Sequence, residues 1–335
     1  MNRPLRFCMI TTFYPPYHFG GDAIFVQALA NELVFRGHHV EVIHCRDAYR
    51  LLARHEPPNG YEDHPNVIVH GLESRFGWLS PMATQQTGRP LFKGKAIEQV
   101  LSRGFDVIHY HNISLVGGPQ ILTIGDAIKL YTPHEFWLTC PTHVLLRRNR
   151  EPCTQPRCVA CTLSYGRPPQ WWRYSDLLPS SLRHVDRFLA PSRFSMEMHR
   201  AHGLELPLVH LPYFLPNMDS SREVASPPPG LAAGSPYFLF VGRLERLKGL
   251  QTVIPVFRNY PKAQLFIAGK GDYEGPLRAL AAGADNIHFL GHLRRGELRF
   301  LYTGAVGLIV PSMCYEMSPF VVIEAFAHGT PVIVR

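Results

Sequence analysis

Residues 307–334 read Gly-Leu-Ile-Val-Pro-Ser-Met-Cys-Tyr-Glu-Met-Ser-Pro-Phe-Val-Val-Ile-Glu-Ala-Phe-Ala-His-Gly-Thr-Pro-Val-Ile-Val. The short apolar run at 307–310, stopped by Pro311, predicts a buried strand. Ser318 followed by Pro319 predicts a helix start, with an N-cap hydroxyl and proline at the first helical position. Residues 320–327 form the predicted helix, Gly329 ends it, and residues 331–334 begin the next strand. Two acids stand out. Glu316 lies in the loop at the carboxyl end of the strand. Glu324 lies inside an otherwise apolar helix, where a carboxylate is costly to bury without donors. Each alone reads as an exposed glutamate. As a pair beside a helix N-terminus they read as a grip on a polyhydroxylated, anionic ligand.

Working outward, the same strand–turn–helix rhythm fills the carboxy-terminal half. A buried strand at 237–241 runs into Gly242-Arg243-Leu-Glu-Arg-Leu-Lys248-Gly249. Arg243 and Lys248 flank a turn at the strand's carboxyl end, where two cations would neutralise a diphosphate. Read singly, each is a solvated basic side chain. A strand at 264–268 leads to Gly269-Lys-Gly, which is too short a signal for a dinucleotide turn. A strand at 287–290 ends at Leu290-Gly291, and a helix is expected over 297–305. No Asp-x-Asp occurs in the chain, so the ligands of a metal-bound diphosphate are lacking.

The amino-terminal half repeats the pattern. A strand at 6–12 is followed by Gly20-Gly21, a helix closed by Gly37 and a strand at 40–44, the signature of a parallel sheet. The glycine pair is either a plain turn or a place where backbone amides approach a phosphate or an acceptor. Loops are expected over 49–66 and 74–89, the second of them a candidate acceptor-side loop, with a strand at 67–71 between them and a helix over 93–103. Asp106-Val-Ile-His-Tyr-His-Asn is a strand with His109 and His111 on one face at its carboxyl end. Either is a hydrogen-bonded core histidine or a ligand-facing one. Strands at 129–132, 187–191 and 208–213 follow, with Ser192 capping a helix that runs to about residue 201. Between them, Pro-His-Glu-Phe-Trp-Leu-Thr-Cys-Pro leads into Cys140, Cys153, Cys158 and Cys161. Their spacing, C-x12-C-x4-C-x2-C, leaves open a structural zinc site, free thiols or disulfides. Residues 166–174 mix aromatics with arginine, which suits a membrane interface, a glycan platform or packing over the insertion.

These motifs together resemble glycosyltransferase family 4, retaining enzymes of the GT-B architecture. The resemblance rests on Glu-x7-Glu followed by Ala-x-Ala-x-Gly-x-Pro-Val-Ile, on Gly-Arg-Leu-x4-Gly, on Asp-x-x-His-x-His and on the Gly-Gly loop. A segment like His-Asp-x-Trp-x-x-Cys-Pro is also present, with Glu135 in place of the Asp. The resemblance implies an α/β fold of two Rossmann-like domains facing a cleft. It implies an acceptor-side domain over 1–216 with a Cys-rich insertion at about 137–175, a linker over 217–236 and a donor-binding domain over 237–335. The implied catalytic residues are His111, Arg243, Lys248 and Glu316. The implied donor site comprises Gly20, Gly21, Gly242, Arg243, Lys248, Gly269, Leu290, Gly291, Glu316, Ser318, Phe320 and Glu324. In the family the first Glu contacts sugar hydroxyls, the second the ribose, and the base stacks near the loops after 268 and 290. This chain departs at Ser318-Pro319, where the family has Phe-Gly and Pro319 offers no N–H. Family members also continue beyond the equivalent of Arg335, so a truncated second domain is expected.

The implied reaction moves a hexosyl unit from a nucleotide-diphosphate sugar to a hydroxyl of a glycan, a lipid-linked glycan or a small molecule. It retains configuration and needs no cofactor. The alternatives are a sugar-nucleotide epimerase of the same architecture and a non-catalytic nucleotide-sugar-binding subunit. The bulk numbers agree with a globular protein of two domains: 335 residues, 46% hydrophobic, 18% charged and formal charge +8. That charge suits anionic ligands or an anionic membrane surface, and no nucleic-acid module accompanies it. No apolar run approaches a spanning length of about 18 residues, and Met-Asn-Arg-Pro-Leu-Arg lacks a signal-peptide core. Seven cysteines without such a signal point to a reducing, cytoplasmic setting, with peripheral contact at the inner membrane surface.

Overall fold

The computed structural model describes residues 3–53, 56–57, 62–148, 150–215, 236–293 and 295–335. The chain divides into two compact units, Met1–Pro216 and Asn217–Arg335. The linker expected over 217–236 lies outside the described residues except for Pro236.

In the first unit, β-branched and aromatic runs supply the strands β1 (Arg6–Ile10), β2 (His39–Cys45), β3 (Val67–Leu72), β4 (Val107–Tyr110) and β5 (Ile128–Tyr131). A hairpin of β6 (Leu146–Arg147) and β7 (Glu151–Pro152) follows, then β8 (Arg187–Ala190) and β9 (Leu208–His210). The seven long strands make one sheet in the order β3-β2-β1-β4-β5-β8-β9, and its pairs are parallel. The helices are α1 (Gly21–Phe35), α2 (Arg46–Ala53), α3 (Leu79–Thr87), α4 (Gly94–Leu101), α5 (Cys158–Ser164), α6 (Leu177–Leu182) and α7 (Arg193–Ala201). Successive side chains of β1 and β2 enter two different cores. Cys8, Ile10, Ile43 and Cys45 join one cluster, while Met9, Val40 and Val42 join the other. A period of two with both faces buried is the mark of a sheet covered on both sides.

The second unit contains β10 (Tyr237–Val241), β11 (Gln264–Ala268), β12 (Ile287–Gly291), β13 (Gly307–Val310) and β14 (Val332–Val334). Its helices are α8 (Ile254–Arg258), α9 (Glu274–Ala281), α10 (Arg295–Gly304) and α11 (Phe320–Ala327). The sheet is parallel in the order β12-β11-β10-β13-β14. Leu265 and Ile267 face one core and Phe266 the other. In each sheet the strand order reverses beside the first strand, between β1 and β4 and between β10 and β13. Loops at the carboxyl ends of such strands diverge there and leave room for a ligand.

The structure differs from the sequence reading at several points. Helices α2 and α3 occupy stretches expected as loops. Long-range contacts hold both, which local propensity does not register. Asp47 of α2, buried, accepts from the Ser74 amide at 2.9 Å and pairs with Lys93 Nζ at 2.9 Å. The Trp172 indole N–H donates to the Gln85 carbonyl of α3 at 2.8 Å. Ser318 does not cap α11: the N-cap is Pro319, in an extended conformation, and the helix begins at Phe320. Ser192 does cap α7, its hydroxyl accepting from the Ser195 amide at 3.1 Å.

The zinc expectation finds no support. The seven cysteines are free thiols, and among the described residues no three His, Cys, Asp or Glu side chains are placed to hold a metal ion. Cys140 Sγ instead lies 3.3 Å from Thr142 Oγ1. Arginine orders this insertion. Arg173 donates to the Trp137 carbonyl at 2.7 Å and stacks over the Trp137 and Trp172 rings at 5.1 and 4.7 Å. Burial pushes its guanidinium down to about 10. Among the described residues no helix is long and apolar enough to cross a membrane.

Candidate active site

In the second unit, three loops at the carboxyl ends of β10, β11 and β13 are locked together by backbone. Gly249 has φ +77°, and a Cβ there would meet the Pro311 carbonyl oxygen at 1.8 Å. Gly269 has φ +138°, and its Cβ would meet the Gly242 carbonyl oxygen at 1.9 Å. Only glycine combines that backbone with that closeness. The Met313 amide donates to the Leu247 carbonyl at 2.7 Å, joining the basic turn to the loop after β13.

This stitching brings Lys248 and Glu316 into contact across the reversal of strand order. Lys248 Nζ donates to Glu316 Oε1 at 2.6 Å, and the Ser312 hydroxyl donates to the same oxygen at 2.6 Å. Their side chains are 24% and 25% exposed, so the pair is sheltered yet open to a ligand. Arg243 is placed differently. Its side chain is half exposed and turns onto Glu245 of its own turn, Nη1 to Oε1 at 2.6 Å. Gly242 and Gly269 adjoin at the ends of β10 and β11, and the Gly269 amide donates to the Gly291 carbonyl at 2.7 Å, next to Leu290. Glu324, partly buried on α11, accepts from the Tyr302 hydroxyl at 2.9 Å. Burial, and then the Glu324 charge, holds that hydroxyl well above the usual tyrosine range. Ser318 precedes α11 and Phe320 opens it.

In the first unit, Gly20 is the extended N-cap of α1 and Gly21 its first residue. The loop after β1 crosses to β4 through backbone: the His111 amide donates to the Ile10 carbonyl at 2.9 Å and the Thr12 amide to that of Asn112. His109 and His111 stand side by side, ring centroids 4.1 Å apart. His109 Nε2 bonds to Thr132 Oγ1 at 2.8 Å, so it is the core histidine. Burial pushes it down to about 3. His111 Nδ1 meets His134 Nε2 at 2.9 Å, and His134 Nδ1 meets the Tyr213 hydroxyl at 2.5 Å. The remaining nitrogen of His111, Nε2, is buried and has no hydrogen-bond partner among the described residues. An unmatched polar atom at the carboxyl end of a central strand makes His111 a candidate for contact with a ligand group. Burial first, then His109 and His134, holds the His111 imidazole well below the usual histidine range. It is therefore neutral at pH 7.

Comparisons with known proteins give the family and the fold. The description "Glycosyltransferase Family 4" matches residues 19–212. The chain belongs to this family. "Glycosyl transferases group 1" matches residues 221–335. An uncharacterized glycosyltransferase of Methanocaldococcus jannaschii is 26% identical over 98% of this chain and 80% of its own length. Among solved structures, the catalytic domain of starch synthase IV from Arabidopsis thaliana, bound to ADP and acarbose, superposes with a TM-score of 0.65 at 15% identity, covering 99% of this chain and 83% of that one. Anabaena HepE in complex with UDP-glucose gives a TM-score of 0.59 at 15% identity, covering 98% and 80%. This glycosyltransferase therefore has the GT-B fold, with two Rossmann-like parallel sheets.

Four neighbours of the site were not singled out from sequence. Ser312 and Tyr302 hold the two acids, and His134 and Tyr213 hold His111. His134 lies within a motif that was noticed, and its strand-end position beside another histidine was the available signal. A serine five residues after the start of a strand and a tyrosine on an amphipathic helix carry none.

Proposed function

We propose that this family 4 glycosyltransferase moves a hexosyl unit from a nucleotide-diphosphate sugar to an acceptor hydroxyl with retained anomeric configuration. The second unit holds the donor and the first serves the acceptor. The observation that carries this reading is the Lys248–Glu316 pair, 2.6 Å apart where the strand order reverses. One charge of each sign at the same loop cluster suits a ligand with a diphosphate at one end and hydroxyls at the other. In this assignment Lys248, joined by Arg243 once it turns from Glu245, neutralises the diphosphate. These fixed cations take the part that a metal ion plays elsewhere. Glu316 accepts from sugar hydroxyls and Glu324 from the ribose. The relatives bound to ADP and UDP-glucose support a nucleotide donor.

The bond between the anomeric carbon and the phosphate oxygen breaks while a bond to the acceptor oxygen forms on the same face. The acceptor proton passes to the leaving phosphate oxygen. No strong enzyme base is required, which agrees with a His111 held neutral and weakly basic. His111 instead positions the sugar and steadies charge developing on it. A transfer assay tests the reading: nucleoside diphosphate should be released only when acceptor is added. Release without acceptor, or binding without turnover, would contradict it.

The acceptor is proposed to be a glycan, free or lipid-linked, reached by a cytoplasmic enzyme in peripheral contact with the inner membrane surface. Phe76 and Phe92 rings meet at 4.6 Å, which gathers the exposed side chains of Phe76, Trp78, Leu79, Leu91 and Phe92. Arg75 sits over the Phe76 ring at 4.8 Å. Aromatic and basic side chains together suit an anionic bilayer surface. Co-sedimentation with vesicles containing anionic lipid should fall several-fold in Trp78→Ser/Phe92→Ser. Unchanged sedimentation would remove this part of the proposal.

A further inference from the structure

Three groups of the first unit, a buried His111 and the partly buried His134 and Tyr213, form a single hydrogen-bonded row, Tyr213 to His134 to His111. Burial holds both imidazoles in the neutral form, and a neutral imidazole carries one proton. Only two proton patterns then satisfy the row. In one, Tyr213 donates to His134, His134 donates to His111, and His111 carries its proton on Nε2. In the other, His111 Nδ1–H donates to His134, His134 Nδ1–H donates to Tyr213, and His111 Nε2 is a bare acceptor. The Phe25 ring, one turn along α1 from Asp22, lies 4.5 Å from that of Tyr213, so the start of α1 packs near the Tyr213 end of the row. The Asp22 charge acts on Tyr213 there. A carboxylate at that end favours hydrogens pointing toward it, the second pattern.

We propose that Tyr213 and His134 are positioning residues that hold His111 in its Nδ1–H tautomer, so that the unpaired Nε2 accepts a hydrogen bond from a sugar hydroxyl. This rests on the transfer reading above for the identity of the ligand, but the tautomer itself does not depend on it. The lone Nε2 is the one end of the row without a partner among the described residues. A hydroxyl of a bound sugar supplies the donor that it lacks. Carbohydrate is the class of ligand dense in such groups.

Nitrogen-15 NMR of the full chain with labelled histidine tests the proposal without any substrate. The expected signature for His111 is a protonated Nδ1 and an unprotonated Nε2. Tyr213→Phe removes the acceptor for His134 Nδ1–H, so the His111 signature should move toward the other tautomer. Turnover should fall roughly tenfold or more, as for other groups that orient a site residue through a second bond, while affinity for a nucleoside diphosphate is unchanged. Asp22→Asn keeps the shape and removes the charge, and should shift the signature in the same direction if the phenylalanine variant folds poorly. A protonated Nε2 in the native chain, or a signature that neither substitution moves, overturns the proposal. The predicted signature together with unchanged turnover in both variants overturns the role of His111 toward the sugar, and with it that part of the transfer reading.

Discussion

The two sheets share a topology and differ in what stands where their strand order reverses. Beside β1 and β4 the groups are neutral and aromatic: His109, His111, His134, Tyr213 and Phe25, buried or partly buried and linked ring to ring. Beside β10 and β13 the groups are charged and partly exposed: Lys248, Glu316 and, nearby, Arg243. A parallel sheet gives both places the same opening, and the side chains decide what fills it. In the proposed reading the charged end takes the diphosphate, and the neutral end takes hydroxyls, whose recognition needs directed donors and acceptors rather than net charge.

The largest expected effect breaks one side of this contrast and spares the other. Gly249→Ala places a Cβ against the Pro311 carbonyl oxygen at a positive φ. It should destabilise the second unit by about 3–5 kcal/mol. Hydrogen exchange of the whole chain should show β10 and β13 exposed while β1 and β4 keep their protection. Equal loss in both would mean that the loops are not the local lock described above.

A smaller effect concerns chemistry alone. His111→Ala should lower kcat by roughly 100-fold, within the range for a preorganised polar group, with the Kd for nucleoside diphosphate unchanged. A matched loss of donor affinity would move His111 out of the neutral, hydroxyl-facing role.

Acid should tell the two regions apart more gently. His109 and His134 are pushed down to about 3 by burial, against about 6.5 when unfolded. Their folded values lie below the unfolded ones. Below pH 6.5 the unfolded chain takes up protons that the folded one refuses, so stability falls with pH until about 3. At pH 5.5 each histidine should cost about 1.4 kcal/mol. Exchange protection of β4 should decline between pH 6.5 and 5.5 ahead of that of β10. An equal decline would assign the acid sensitivity elsewhere.

Much of this was legible in the chain itself because the signals were local. The strands at 237–241, 264–268 and 307–310 are continuous apolar runs bounded by glycine or proline, and their limits coincide with β10, β11 and β13. Lys248 and Glu316 were both readable as site candidates, but their direct contact was not. It depends on Gly249 pressing against Pro311, a closeness between residues 62 positions apart. Helices α2 and α3 were missed because Asp47 with Lys93 and Trp172 with Gln85 support them from afar. Cysteine spacing suggested a metal site, since spacing reports which ligands are near and not how they face. Ser318-Pro319 suggested a cap, and the chain instead keeps Pro319 extended before the helix.

The most direct test of the charged end as the donor site is calorimetric titration of UDP, ADP and GDP, free and sugar-linked, into the native chain and into Lys248→Ala. The account predicts one preferred nucleotide. It also predicts that Lys248→Ala weakens the free and sugar-linked forms alike, by about 1.5–3 kcal/mol, the range for hydrogen bonds to charged groups. Affinity unchanged by the loss of Lys248 would contradict it.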